Sequence, residues 1–132
     1  MTILVSYVPS AEGFAAMNAA VQAAKLAGTS ILVLNVAVGT NFADPTFADE
    51  RDLDAVRQRL HDEGVPSEIR QVTDARDVAE EVLRIAEEVS ADLIVVGLRR
   101  RSAVGKLLLG SNAQHIILSA NCPVLSVRPA AD

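Results

Sequence analysis

Short apolar runs alternate with amphipathic helical patterns along the whole chain. Three runs, residues 3–8, 31–36 and 93–96, are rich in Ile, Val and Leu and too short for buried helices. They predict strands buried on both faces. The helical patterns between the runs begin at capping residues such as Ser10 and Asp77 and end at glycines such as Gly28 and Gly64. This alternation predicts a parallel sheet covered by helices on both faces.

The helical segments show which side chains should face the sheet. A second helix is expected from Thr46 to about Glu63, started by Asp44-Pro45. The predicted inward stripes of the four helices are Phe14, Met17, Val21 and Ala24; Leu53, Val56 and Leu60; Val78, Val82, Ile85, Ala86 and Val89; and Ala113, Ile116, Ile117 and Ala120.

The five predicted strands can be ordered by their exposure. Residues 68–72 alternate between apolar and polar side chains, which is typical of an edge strand. The last strand, Val124 to Val127, takes the other edge. We therefore expect one domain over residues 1–132, of the α/β class, with an open five-stranded parallel sheet of order 3-2-1-4-5. The first and fourth strands then meet at a topological switch point, where open sheets of this kind bind ligands.

Composition excludes several functional classes. The net charge of −5 argues against a general nucleic-acid or membrane-surface binder, and 3 Phe with 1 Tyr offer few stacking rings. The single cysteine, Cys122, excludes an internal disulfide, and we expect it to be a small buried hydrophobe. Neither a targeting segment nor a stretch of membrane-spanning length is evident, which favours a cytoplasmic location.

One segment combines the features of an anion-binding site. The apolar run 93–96 ends at Gly97, and Gly110-Ser111 begin the next helical pattern. This layout places backbone N–H groups at a helix start, where they can bind phosphate. The intervening residues include four basic side chains, for which solvation or partner contacts are the alternative roles: Arg99, Arg100, Arg101 and Lys106.

The whole chain resembles the universal stress protein family. The resemblance rests on the element spacing, on GLRRRSAVGKLLLGS and on the ending NCPVLSVRP. Nucleotide-binding members carry a glycine, two residues, a glycine, nine residues, then glycine and Ser or Thr. Gly97, Gly110 and Ser111 match this pattern, while Arg100 occupies the middle glycine position. Val8 occupies the position at which ATP-binding members usually have an Asp.

The resemblance implies an adenine nucleotide alpha hydrolase-like fold and a stress-response module that binds ATP, ADP or AMP, with or without Mg²⁺. It also implies a homodimer through Val124 to Val127, which would cover an apolar edge. No catalytic or metal-binding residue is expected. The predicted nucleotide-binding residues are Val8, Pro9, Ser10, Val36, Gly97, Arg99, Arg100, Gly110, Ser111 and Asn112.

Two other functions stay open. The chain is alternatively an interaction protein of the same fold that binds no nucleotide, its site altered by Val8 and Arg100. A slow nucleotide hydrolase is the less favoured reading, because the basic loop offers no base to activate water. His61 and His115 are both expected to face solvent.

Overall fold

The computed structural model describes residues 2–39, 44–100 and 107–129. The basic residues Arg101 and Lys106 lie outside this part of the chain. In chain order the elements are β1 Thr2–Ser6, α1 Ala11–Ala27, β2 Ser30–Val38, α2 Glu50–Glu63, β3 Ser67–Ala75, α3 Val78–Glu88, β4 Leu93–Gly97, β5 Arg99–Arg100, β6 Leu107–Leu108, α4 Ser111–Ser119 and β7 Val124–Val127.

The five main strands form one parallel sheet in the order β3-β2-β1-β4-β7, which confirms the predicted fold class. The central strand β1 pairs with β2 and β4, so that Val5 lies between Val33 and Val95. The alternating strand is at one edge and the last strand at the other. A short antiparallel pair of β5 and β6 follows β4, and the sequence patterns did not reveal it.

The helices divide between the two faces of the sheet. Side chains of α1 and α2, such as Met17 and Leu53, share one hydrophobic cluster with Val5. Side chains of α3 and α4, such as Val82 and Ile116, share the second cluster, which includes Leu4. The connections after β1 and β4 therefore leave toward opposite faces. This arrangement is the predicted switch point.

The predicted caps are present. The Ser10 side chain accepts a hydrogen bond from the Gly13 amide at 3.2 Å, and Asp77 accepts one from the Glu80 amide at 2.9 Å. Gly28 and Gly64 end their helices with φ of 65° and 69°, the left-handed region in which a side chain is strained.

The second helix begins later than predicted, at Glu50 rather than Thr46. The Asp44 side chain accepts hydrogen bonds from the Thr46 amide and hydroxyl, which makes a turn of this segment. Asp49 and Asp52 then form a reciprocal capping box that starts the helix. The competing local hydrogen bonds of Asp44 explain the error.

Two side chains of the predicted inward stripes are exposed. Phe14 is 54% exposed, because α1 packs on the sheet through small residues such as Ala16 and Ala20. Ile117 is 39% exposed, since the short helix α4 buries only Ala113 and Ile116. The first strand also ends earlier than predicted, at Ser6. None of the helices in the described ranges is long and apolar enough to cross a membrane.

Tyr7 gives the fold a pH dependence that can be measured. Its side chain is 2% exposed, and burial, with a smaller effect of the Asp52 carboxylate, raises its pKa to about 12. The neutral phenol is favoured in the folded chain. The stabilisation is therefore complete below pH 10, the ordinary tyrosine pKa, and is lost as the pH rises toward 12. Two pKa units set an upper limit of about 2.7 kcal/mol on this loss.

The titration of Tyr7 can be followed without interference, because the chain has 1 Tyr and no Trp. We expect tyrosinate absorbance in the folded protein to rise with a midpoint well above pH 10. The difference in unfolding free energy between wild type and Tyr7→Phe should shrink over the same interval. A midpoint at the ordinary tyrosine value would contradict the expectation.

Candidate functional site

The candidate site is the crevice at the carboxyl ends of β1 and β4. Two adjoining cavities occupy it, with volumes of about 200 and 400 Å³. Residues from the ends of the central strands and the starts of the helices line both cavities: Ser6, Val8, Glu12, Val78, Arg99 and Asn112. The shared lining means that one extended ligand could occupy both.

The smaller cavity has the properties of an anion site. The start of α4, from Gly110 to Asn112, lines it together with Gly97 and Arg99. Gly110 is the N-cap and supplies no side-chain hydrogen bond, and the first turn contains no acidic residue. Within the described ranges, the first amides of α4 therefore have no intrahelical or side-chain acceptor, and the helix dipole adds partial positive charge at this end.

The other three helix starts differ from that of α4, because each has a side-chain cap. Among the described residues, α1, α2 and α3 are each capped by a side-chain oxygen, from Ser10, Asp49 and Asp77 respectively. The amides of α4 are left for another acceptor, and they lie beside the guanidinium-bearing Arg99 in the same cavity. A phosphate group would satisfy both.

The larger cavity is suited to a flat apolar group. Val8, Pro9 and Val36 line one part of it, while Pro45 and Thr46, from the segment before α2, line another. The Ser10 hydroxyl also lies on this cavity, where its oxygen already caps α1. The available contacts are mainly aliphatic side chains and backbone groups.

The structure brings together all the predicted site residues except one. Val8, Arg99 and Asn112 line both cavities. Gly97, Gly110 and Ser111 line the smaller cavity, and Pro9, Ser10 and Val36 line the larger. Arg100 is the exception, because the structure describes only its backbone, which pairs with Leu107 of β6.

Glu12 is the principal residue that the sequence analysis missed. It lies in the first turn of α1 and lines both cavities, opposite in charge to Arg99. The Ser10 cap fixed the start of the helix, so the position of Glu12 at this end of the sheet could have been inferred. Its carboxylate limits how much negative charge the crevice can accept without a cation.

Gly97 has a packing role as well as a place in the lining. A Cβ atom added to it would lie 2.2 Å from the Glu12 carbonyl oxygen and 2.7 Å from the Glu12 carbonyl carbon. A Cβ atom added to Gly110 would meet no atom of the described part of the chain within 4 Å. The absence of a side chain at Gly97 therefore lets the start of α1 approach β4.

The remaining titratable candidates lie outside the crevice. His61 is exposed, and His115 is 45% exposed with Nδ1 3.8 Å from an Asp77 carboxylate oxygen. Cys122 is half-buried and borders a separate cavity of about 530 Å³ between α3 and α4; burial, then Asp92, raises the pKa of its thiol. This third cavity is not lined by the start of α4, the helix start that lacks a side-chain cap. The described residues contain no group of three metal-ligating side chains.

Comparison with known proteins gives the family. The model of the universal stress protein family matches residues 1–128. A universal stress protein of Mycolicibacterium smegmatis is 41% identical over 127 residues, which cover 96% of this chain and 97% of that one.

Two solved structures have the same fold. A universal stress protein family member from Burkholderia pseudomallei is 32% identical, with a TM-score of 0.74 and coverage of 98% of this chain and 96% of that one. A family member from Arabidopsis thaliana with AMP bound is 24% identical, with a TM-score of 0.69 and coverage of 100% and 94%. Fold, motif and whole-length similarity agree: the chain belongs to the universal stress protein family.

Proposed function

We propose that the crevice binds an adenine nucleotide and that the protein is a dimeric stress-response module of the cytoplasm. The observation that carries the proposal is the uncapped start of α4 beside Arg99 in one cavity. The Arabidopsis relative with AMP bound supports the ligand class.

The two cavities suggest where each part of the nucleotide binds. The phosphate accepts hydrogen bonds from the first amides of α4 and from the Ser111 hydroxyl, and it pairs with Arg99. The adenine ring occupies the larger cavity between Val8 and Val36, with backbone groups near Pro9 as polar partners. The ribose bridges the two parts, where Asn112 lines both.

Glu12 bears on which nucleotide is preferred. Glu12 lines the smaller cavity that receives the phosphate, so its negative charge opposes each added phosphate charge. AMP therefore suits the site without a cation, whereas ADP and ATP need Mg²⁺ to offset the repulsion. Because no catalytic residue is assigned, nucleotide binding acts through a conformational change or through a partner protein.

Isothermal titration of nucleotide-free protein tests the proposal. ATP, ADP, AMP and cyclic AMP are each titrated with and without Mg²⁺. We expect AMP to bind, and Arg99→Ala to weaken it about tenfold because a charge-assisted hydrogen bond is lost. Arg57→Ala is the matched control, because Arg57 pairs with Asp54 on the exposed side of α2. An absence of heat from every nucleotide at millimolar concentration would reject the proposal.

The interaction-protein alternative draws support from one observation, the acidic residue Glu12 in the lining of the predicted anion site. Mass spectrometry of the purified protein separates the two functions. A co-purified nucleotide supports the proposal; its absence, together with an unchanged melting temperature in ATP, supports the alternative. A gain of ATP binding on Arg100→Gly would likewise show that the wild-type site is closed.

A further inference from the structure

Asn35 is the one buried polar or charged residue in the part of the chain that the structure describes. It lies within β2, is 0% exposed, and belongs to no predicted site. Burying an amide without partners costs about 1–3 kcal/mol. An amide among aliphatic side chains therefore needs a compensating set of hydrogen bonds.

Asn35 has such a set, and it joins three parts of the chain. Its Nδ2 donates to the carbonyl oxygens of Tyr7 and Thr46, each at 2.9 Å. Its Oδ1 accepts from the Ala48 amide at 2.9 Å and from the Gln71 side chain at 3.1 Å. Gln71 also donates to the Ala48 carbonyl oxygen at 2.6 Å.

These bonds join two segments that line the larger cavity. Tyr7, at the end of β1, and Thr46, in the segment before α2, both contribute to its lining. Each carbonyl is held by one hydrogen of the same amide group. A planar amide fixes the directions of both hydrogens, so a fully bonded network of this kind specifies one arrangement of the two segments.

The smaller cavity is lined by none of the residues that hydrogen-bond to Asn35. Its lining comes from the end of β1, β4 and the starts of α1, α3 and α4. A change at Asn35 should therefore act on the part of the crevice that receives the ring. It should leave the anion site unchanged.

We propose that Asn35 is a positioning residue for the nucleobase, holding in place Tyr7 and Thr46, which both line the larger cavity. The inference rests on the proposed nucleotide function and deepens it. The Asn35 side chain does not contact the ligand. It affects the affinity for the base through the two carbonyl groups that it holds in place.

The test is Asn35→Asp, which keeps the size of the side chain but replaces the double donor with an oxygen that faces two carbonyl oxygens. Affinities for AMP and for ribose 5-phosphate are measured by titration or competition. We expect AMP to bind about tenfold more weakly, while ribose 5-phosphate changes less than about twofold. Val21→Ala, in the α1 core, is the control for lost stability alone and should keep both affinities.

A second variant covers the case in which Asn35→Asp fails to fold. Gln71→Met keeps Asn35 and removes only the two hydrogen bonds that Gln71 donates. It should shift the AMP affinity in the same direction by about threefold, again sparing ribose 5-phosphate. Equal losses for both ligands, or no loss for either, would overturn the assignment. Wild-type protein that binds no AMP would instead reject the proposed function, and the assignment with it.

Discussion

Replacing Gly97 with alanine is expected to lower the free energy of unfolding by about 3 kcal/mol or more. The added methyl group would lie 2.2 Å from the Glu12 carbonyl oxygen, far inside van der Waals contact. The opposing atoms are backbone atoms in the first turn of α1, so no side-chain rotation relieves the clash. Either α1 moves away from β4, or the crevice changes shape.

Gly110→Ala provides the matched comparison. Both glycines match the family motif and both line the smaller cavity, but an added methyl at Gly110 meets no atom of the described residues within 4 Å. Its φ of −63° suits alanine as well, and only a small loss of N-cap preference, below about 1 kcal/mol, is expected. Chemical denaturation of the two variants measures the difference directly.

The outcome also separates two roles of the motif. A large loss for Gly97→Ala and a small loss for Gly110→Ala would show that the first glycine serves helix packing and the last serves the site. Similar small losses would contradict the packing role. In that case the close approach of Glu12 must be adjustable, and the motif glycines would be equivalent.

Much of the fold could be predicted because local signals agreed with the global arrangement. Alternation over residues 68–72 placed β3 at an edge, and the apolar run 93–96 placed β4 inside. Ser10 and Asp77 carry side-chain oxygens that cap the helices beginning directly after them. These features depend on neighbours within a few residues, which the sequence shows directly.

The errors arose where distant contacts or competing local bonds decided the structure. The start of α2 depends on whether Asp44 or Asp49 captures the free amides, and both residue types are good caps. Phe14 matched the helical spacing, yet the small residues beside it form the closer contact with the sheet. The roles of Gly97 and Asn35 depend on partners far away in the sequence, so no local pattern could reveal them.

The candidate site was predicted in outline for the same reason. The strand, the basic loop and the glycine-serine helix start are local, and the switch point follows from strand order. Glu12 was missed because it lies on α1, far in sequence from the glycines and basic residues of the motif. Its presence is the feature that most changes expectations about the ligand, from a polyphosphate toward AMP.

The edge strand β7 allows a direct test of the proposed dimer. Pro123 and Val127 direct their carbonyl oxygens at β4, where they accept from the Ile94 and Leu98 amides at 3.0 and 2.7 Å. Because peptide groups alternate in direction along a strand, those of Val124 and Ser126 point to the outer edge. Leu125, between them, is 40% exposed.

Ser126→Pro should convert the dimer into a monomer, since proline removes an outward amide while sparing the bonds to β4. Sedimentation should give the mass of two chains for wild type and for the control Ser126→Ala, and of one chain for the proline variant. A monomeric wild type, or a dimeric proline variant, would contradict pairing through this edge. No residue of β7 belongs to the described lining of either cavity. The monomeric variant should therefore keep its affinity for AMP, so the proposed dimer and the proposed nucleotide site can be rejected independently.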